Sequence, residues 1–175
     1  STNTNISIDY DNPNLSIETI ESLNACLGVT PSEQMVKLTN NGIGTATNVL
    51  VDIFKSSGGD YDEDLLSAFD IASVSYRVGN TGSFSPLSTT NILETRSDGI
   101  YSCLGVSPKG AFTVSVPNMA PGEEIYIRWN MQTCCLSTCS EIEIGGWKTE
   151  ISYSDACNVT NYTDSKTGQS PVGLH

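Results

Sequence analysis

The chain has 175 residues, with eight Lys+Arg against 20 Asp+Glu, a net charge of −12, and only 16% charged residues. Its length suits a single domain. Its acidity removes the basic patch that nucleic acid requires and disfavours anionic lipid surfaces. The single histidine is His175, so Ser–His–Asp and Cys–His nucleophile pairs and histidine-based zinc sites lack their imidazole.

Residues 1–21 are polar, with the breaker cluster Asp9-Tyr10-Asp11-Asn12-Pro13, and read as a lead-in strand or linker. The opening Ser-Thr-Asn-Thr-Asn lacks the basic and apolar regions of an export signal, so any such signal is expected to have been removed. The core is expected over 22–160. In 35–40, Val36 and Leu38 share a face, and Asn40-Asn41-Gly42 predicts a hairpin turn because Asn and Gly tolerate positive φ. Residues 47–54 then place Val49, Val51 and Ile53 on one face, with Asp52 on the other.

Residues 56–110 read as an insertion. They begin with the acidic loop Gly58 to Asp64, and 65–71 (LLSAFDI) is the one stretch compatible with a helical turn. Residues 72–78 alternate, with Val74, Tyr76 and Val78 on one side. Residues 79–99 predict a long connection or an edge hairpin.

The clearest alternation follows. Phe112, Val114 and Val116 share one face, and Pro117 to Gly122 form a turn. Ile125, Ile127 and Trp129 come next, then Trp147, Thr149, Ile151 and Tyr153. Residues 161–175 read as a tail or linker. Strands with polar outer faces, separated by frequent turns, predict an all-β antiparallel sandwich. No run of ~18 apolar residues exists, so no membrane insertion is expected.

Six cysteines in a Ser/Thr/Asn-rich acidic chain predict extracytoplasmic disulfides involving Cys26, Cys103, Cys134, Cys135, Cys139 and Cys157. Adjacent Cys134 and Cys135 point to opposite faces of an extended strand and so need different partners. If 111–117 and 124–134 form a hairpin, Cys103 comes within reach of the 134–139 loop. The preferred pairing joins Cys26 and Cys103 to Cys134 and Cys135, and Cys139 to Cys157.

Residues 36–51 (VKLTNNGIGTATNVLV) resemble the strand, Asn-x-Gly, Ala-x-Asn-Val, strand signature of cell-adhesion-related and conserved-repeat domains of bacterial and archaeal surface proteins. Residues 112–129 (FTVSVPNMAPGEEIYIRW) are similar to their later strand, Ala-Pro-Gly, strand segment. The cysteine-rich ending resembles large secreted surface proteins of Bacteroidota, some of them adhesins. The resemblance implies an immunoglobulin-like sandwich, repeated in stalks or adhesive modules. In it, Gly42 supplies the turn, Ala46 a small residue, and Asn48 a hydrogen bond to the loop backbone.

Chemistry-bearing residues are few. Asp60, Asp62 and Asp64 have the spacing that begins a calcium loop, but Leu65 and Ile71 stand where an EF-hand needs Gly and Glu; a non-EF Ca²⁺ site is the remaining reading. Asp9, Asp11 and Asn12 form a second oxygen-rich cluster. Tyr61, Phe84, Tyr101 and Tyr126 are candidates to face a sugar or protein ligand. Lys37 is a candidate for a Lys–Asn crosslink of the kind some adhesin sandwiches form. Glu123, Glu124, Glu141 and Glu143 are the carboxylates available for hydrolysis, though Glu141 and Glu143 alternate as a solvent face.

The expectation is a non-enzymatic, disulfide-crosslinked module, extracellular or at the cell surface. It presents loops and neighbours domains of the same or identical chains, with a surface glycan or protein as ligand and no required cofactor. The alternative is a calcium-assisted carbohydrate- or protein-binding domain.

Overall fold

The computed structural model describes residues 12–21, 32–55, 67–87, 92–96, 108–109, 111–133, 147–158 and 160–167. Apolar residues at every second position give a strand one face to bury, and the described chain answers with eleven strands. They are β1 (Leu15–Glu21), β2 (Ser32–Asn40), β3 (Thr47–Lys55), β4 (Ser67–Val78), β5 (Ser85–Pro86), β6 (Ile92–Arg96), β7 (Pro108–Lys109), β8 (Ala111–Ser115), β9 (Glu124–Thr133), β10 (Trp147–Ser154) and β11 (Asn161–Thr167). The first sheet runs β1-β2-β9-β4-β5, with β7 also on β4, and the second runs β11-β10-β3-β8-β6. All pairings are antiparallel.

The faces follow the sequence pattern. Val36, Leu38, Val49, Val51, Ile53, Phe112, Val114, Ile125, Ile127, Trp129 and Ile151 are all buried in one core. Phe112 and Trp129 meet edge to face across the two sheets, ring centres 5.8 Å apart. Val74 is buried as expected, while Val78 at the strand end is 44% exposed. Thr149 is also buried here, and its Oγ1 has no hydrogen-bond partner among the described residues. Thr149→Val keeps the shape and removes the unsatisfied hydroxyl. It should raise the unfolding free energy by about 1 kcal/mol in urea titration, and a loss of stability would contradict this reading.

Sheet membership differs from expectation. β2 and β3 lie in different sheets, as do β8 and β9, so neither Asn40-Asn41-Gly42 nor Pro117 to Gly122 closes a hairpin. Both carry the chain across the sandwich. Residues 67–71, read as a helical turn, are strand, and the 56–110 stretch supplies β4, the inner partner of β9. Within the 1–21 lead-in, Leu15–Glu21 pairs along β2. Within the 161–175 stretch, Asn161–Thr167 pairs along β10.

The registers define two poles. Leu15 faces Asn40, Thr39 faces Glu124, and Ser154 faces both Thr47 and Asn161 at the proximal pole. Glu21 faces Gln34, Ser32 faces Met131, Ser67 faces Thr133, and Trp147 faces Lys55 at the distal pole. β1 therefore starts proximally, and β11 ends distally at Thr167, opposite Lys148.

Candidate functional site

Among the described residues, polar chemistry gathers at the proximal pole and on the outer faces of both sheets. At the pole, Asn40 ends β2 with its side chain fully buried. Its Nδ2 donates to the carbonyls of Gly44 (2.8 Å) and Met119 (2.9 Å). Its Oδ1 accepts from the amides of Asn14 (3.1 Å) and Gly42 (3.0 Å). One amide thus joins the start of β1 to both crossovers. The backbone repeats the connection: Asn40 N donates to Glu123 O, Gly122 N donates to Asn40 O, and Ala46 and Met119 exchange both bonds.

Residues 12–14 lie directly on this junction. The Asn12 carbonyl accepts from the amides of Ile43 and Gly44, each at 3.2 Å, and the Asn14 carbonyl accepts from Asn41 at 2.8 Å. Gly42 does not have positive φ. Its role is close approach, because a Cβ there would lie 2.4 Å from Asn12 O and 2.5 Å from Asn14 N. From the second sheet, the Leu15 amide donates to Tyr153 Oη and Tyr162 Oη donates to Asn12 Oδ1, each at 3.1 Å. Those two tyrosine rings are stacked 5.1 Å apart.

Asn48 has φ of 50° and donates to Asn158 Oδ1 rather than to the loop backbone the resemblance implied. The Asn40 hub was missed. Its one signal was an Asn at the end of an apolar strand before a Gly, which also reads as ordinary turn chemistry.

On the outer face of the first sheet, the register sets Glu18, Lys37, Tyr126 and Arg77 in one row, with Arg128 and Ser75 in the next. Phe84, from the β4–β5 connection, lies over them. The Arg77 guanidinium carbon is 4.7 Å from the ring centres of both Phe84 and Tyr126, and that of Arg128 is 3.9 Å from Phe84. Arg77 Nε donates to Gly79 O (3.0 Å) and Arg128 Nε to Ser75 Oγ (3.1 Å). The cations have acidic company: Lys37 with Glu18 at 2.6 Å, and Arg128 with Glu33 at 3.7 Å. Tyr126 Oη donates to Glu124 at 3.0 Å.

Of the four aromatic candidates, Phe84 and Tyr126 therefore lie on this face, with guanidinium groups over both rings. Both rings are stacking partners for arginine. Lys37, weighed for a Lys–Asn crosslink, directs its amine to Glu18 on this outer face. Its hydrogen bond to Glu18 is the main cause raising its pKa above the ordinary lysine value.

Tyr126 titrates above the usual tyrosine value, first because it is buried and then because it donates to Glu124. A raised folded-state value means that this contribution to stability is complete below the unfolded value of about 10 and is lost as pH rises through the folded one. Urea titrations at neutral and strongly alkaline pH should show a smaller alkaline loss in Tyr126→Phe than in the unaltered chain. An equal loss would contradict the assignment.

The remaining expected residues divide as follows. Asp60, Asp62, Asp64, Tyr61, Tyr101, Glu141, Glu143, Asp9 and Asp11 lie outside the described residues, as do Cys26, Cys103, Cys134, Cys135 and Cys139. Cys157, expected to pair with Cys139, is an exposed free thiol in the β10–β11 turn at the proximal pole. The strand ends flanking Cys139, Thr133 and Trp147, are both distal. Among the described residues no cluster of His, Cys, Asp or Glu is arranged to hold a metal.

Of the expected carboxylates, Glu123 accepts from the Ala120 amide and Glu124 from Tyr126. The second sheet's outer face instead gathers Asp52 and Glu150 with Thr113, Ser152, Thr163 and Ser165 around a cleft of about 580 Å³. Alternation marked Asp52 as outward-facing, and Glu150 alternates in the same way with buried Thr149 and Ile151. Only the register brings Asp52 and Glu150 opposite one another.

No family model matches the sequence, and no curated protein matches it. Solved structures do. BcpA, the major pilin subunit of Bacillus cereus, superposes with a TM-score of 0.54 at 13% identity, covering 90% of this chain and 40% of the pilin. A point variant of the same subunit gives 0.52 at 12% identity, over 91% and 40%. The T6 backbone pilin of serotype M6 Streptococcus pyogenes gives 0.46 at 12% identity, over 90% and 35%. The chain thus spans 40% of the length of BcpA. The likeness to BcpA shows a shared β-sandwich fold.

Proposed function

We propose that this chain is a non-catalytic structural or adhesive module of a multidomain cell-surface protein. The fold it shares with the BcpA pilin over 90% of its length, while spanning 40% of that subunit, carries this reading. The geometry supports it in a second way. β1 begins at one pole and β11 ends at the other, so modules can follow one another end to end. On this reading the sandwich is of the immunoglobulin-like, cell-adhesion-related type. Disulfides among the cysteines between distal strand ends belong to the same proposal, as does an extracellular setting.

The test is antibody labelling of the source cells. Intact cells should label, and brief external protease should remove the signal; labelling only after permeabilisation would overturn the reading. Purified protein melted with and without chelator should show one melting temperature. A Ca²⁺ ion present at 100 times its Kd would add about 2.7 kcal/mol, so a chelator-dependent fall would favour the calcium-assisted alternative at Asp60, Asp62 and Asp64.

A further inference from the structure

We infer that the sandwich is built to carry tension between its two poles, with residues 12–15 and their partners acting as a latch that delivers the load to both sheets. The inference deepens the structural reading of the preceding section and rests on it for its biological setting. Its mechanical content stands on the strand directions and on the hydrogen bonds of residues 12–15.

β1 is an edge strand hydrogen-bonded along β2 from Leu15–Asn40 to Glu21–Gln34. β11 is the edge strand of the other sheet, bonded along β10 from Asn161–Ser154 to Thr167–Lys148. Tension applied before Leu15 pulls β1 out past the proximal pole, along its own axis. Tension applied after Thr167 pulls β11 out past the distal pole, also along its axis. Antiparallel hydrogen bonds run perpendicular to the strands, so both ladders are loaded in shear and their bonds resist together. Pulling across the strands would open the same bonds one after another.

The latch makes the proximal end more than one edge strand. Before tension reaches the β1 ladder it meets the bonds from Ile43 and Gly44 to the Asn12 carbonyl, and that from Asn41 to the Asn14 carbonyl. It also meets Tyr153 and Tyr162, which belong to β10 and β11 in the opposite sheet. A pull on the first sheet's edge is therefore shared with the second sheet's edge. The polar composition of β11 (NYTDSKT) contributes little apolar burial, so its hydrogen-bonded length and this tyrosine link are what attach it.

Single-molecule force spectroscopy on the full chain tests this. One set of molecules carries handles at the two termini. A second carries one handle at the N-terminus and the other in the exposed turn at Asn118, so that both loads enter the sandwich at the proximal pole, through Asn12 and Asn118. The terminal pair should rupture at several-fold higher force than the same-pole pair, and Tyr162→Phe should lower the terminal value while leaving equilibrium stability nearly unchanged. Equal rupture forces in the two geometries would overturn the inference. Because purified protein is pulled, that outcome is separate from the cell-labelling result that decides the surface reading.

Discussion

Asn40→Ala should lose about 3–4 kcal/mol of unfolding free energy, the sum expected when several buried groups lose their partner at about 1–3 kcal/mol each with partial rehydration. The substitution strands the Gly44 carbonyl and the amides of Asn14 and Gly42, and it takes from the Met119 carbonyl the second of its two donors, the first being Ala46 N. For a chain of this size the melting temperature should fall by about 10 °C. Asn40→Asp isolates the hydrogen bonds from the packing. It keeps the shape and the two accepted bonds but sets an oxygen against two carbonyls, so it should be at least as damaging as Ala. A melting temperature within a degree of the unaltered chain for either variant would show that the hub does not hold the pole.

Gly42→Ala is the second large effect, and its mechanism is different. The added methyl would meet Asn12 O, Asn14 N and Pro13 C at 2.4–2.7 Å, all of them backbone atoms that no rotamer change can move. Residues 12–14 must lift away, breaking the bonds to Asn41, Ile43 and Gly44. A cost of about 2–4 kcal/mol is expected, within the range for overpacking and lost hydrogen bonds. Gly82→Ala is the control. It has open space around its Cβ and a φ of 95°, so it should cost only about 1 kcal/mol for backbone strain. Urea titrations of the two variants check the order; equal costs would mean that close approach at Gly42 carries no special weight.

The inward faces were legible because alternation is a local property. Val49, Val51 and Ile53 need no knowledge of the rest of the chain to share a side, and all three are fully buried. Which sheet a strand joins is not local. Asn40-Asn41-Gly42 and Pro121-Gly122 have the chemistry of chain reversal, and that chemistry serves a crossover between sheets as well as a hairpin within one. The Cys103 argument fails at this point, since its premise that β8 and β9 pair does not hold. β11 was illegible for the opposite reason: its residues bury little, and it is a strand because β10 offers an edge to pair with.

The outer-face site was half legible. Phe84 and Tyr126 were recognised as exposed-type aromatics, and the fold brings them within reach of one guanidinium. Arg77 and Arg128 were not singled out, because a lone arginine on a strand has no signature until its cross-strand neighbours are known. The same holds for Asp52 and Glu150, which are 98 positions apart in sequence and directly opposite in the sheet. Asn40 shows the limit most sharply: its four partners come from three separate segments.

Native-state hydrogen exchange tests the fastening of both sheets at the proximal pole most directly. The amides of Leu15, Asn41, Gly42, Ile43, Gly44 and Gly122 should exchange only through global unfolding, at the free energy measured by urea titration. Exchange of these amides at a free energy far below the global value, with the strand interiors still protected, would show a pole that opens on its own and would contradict the latch.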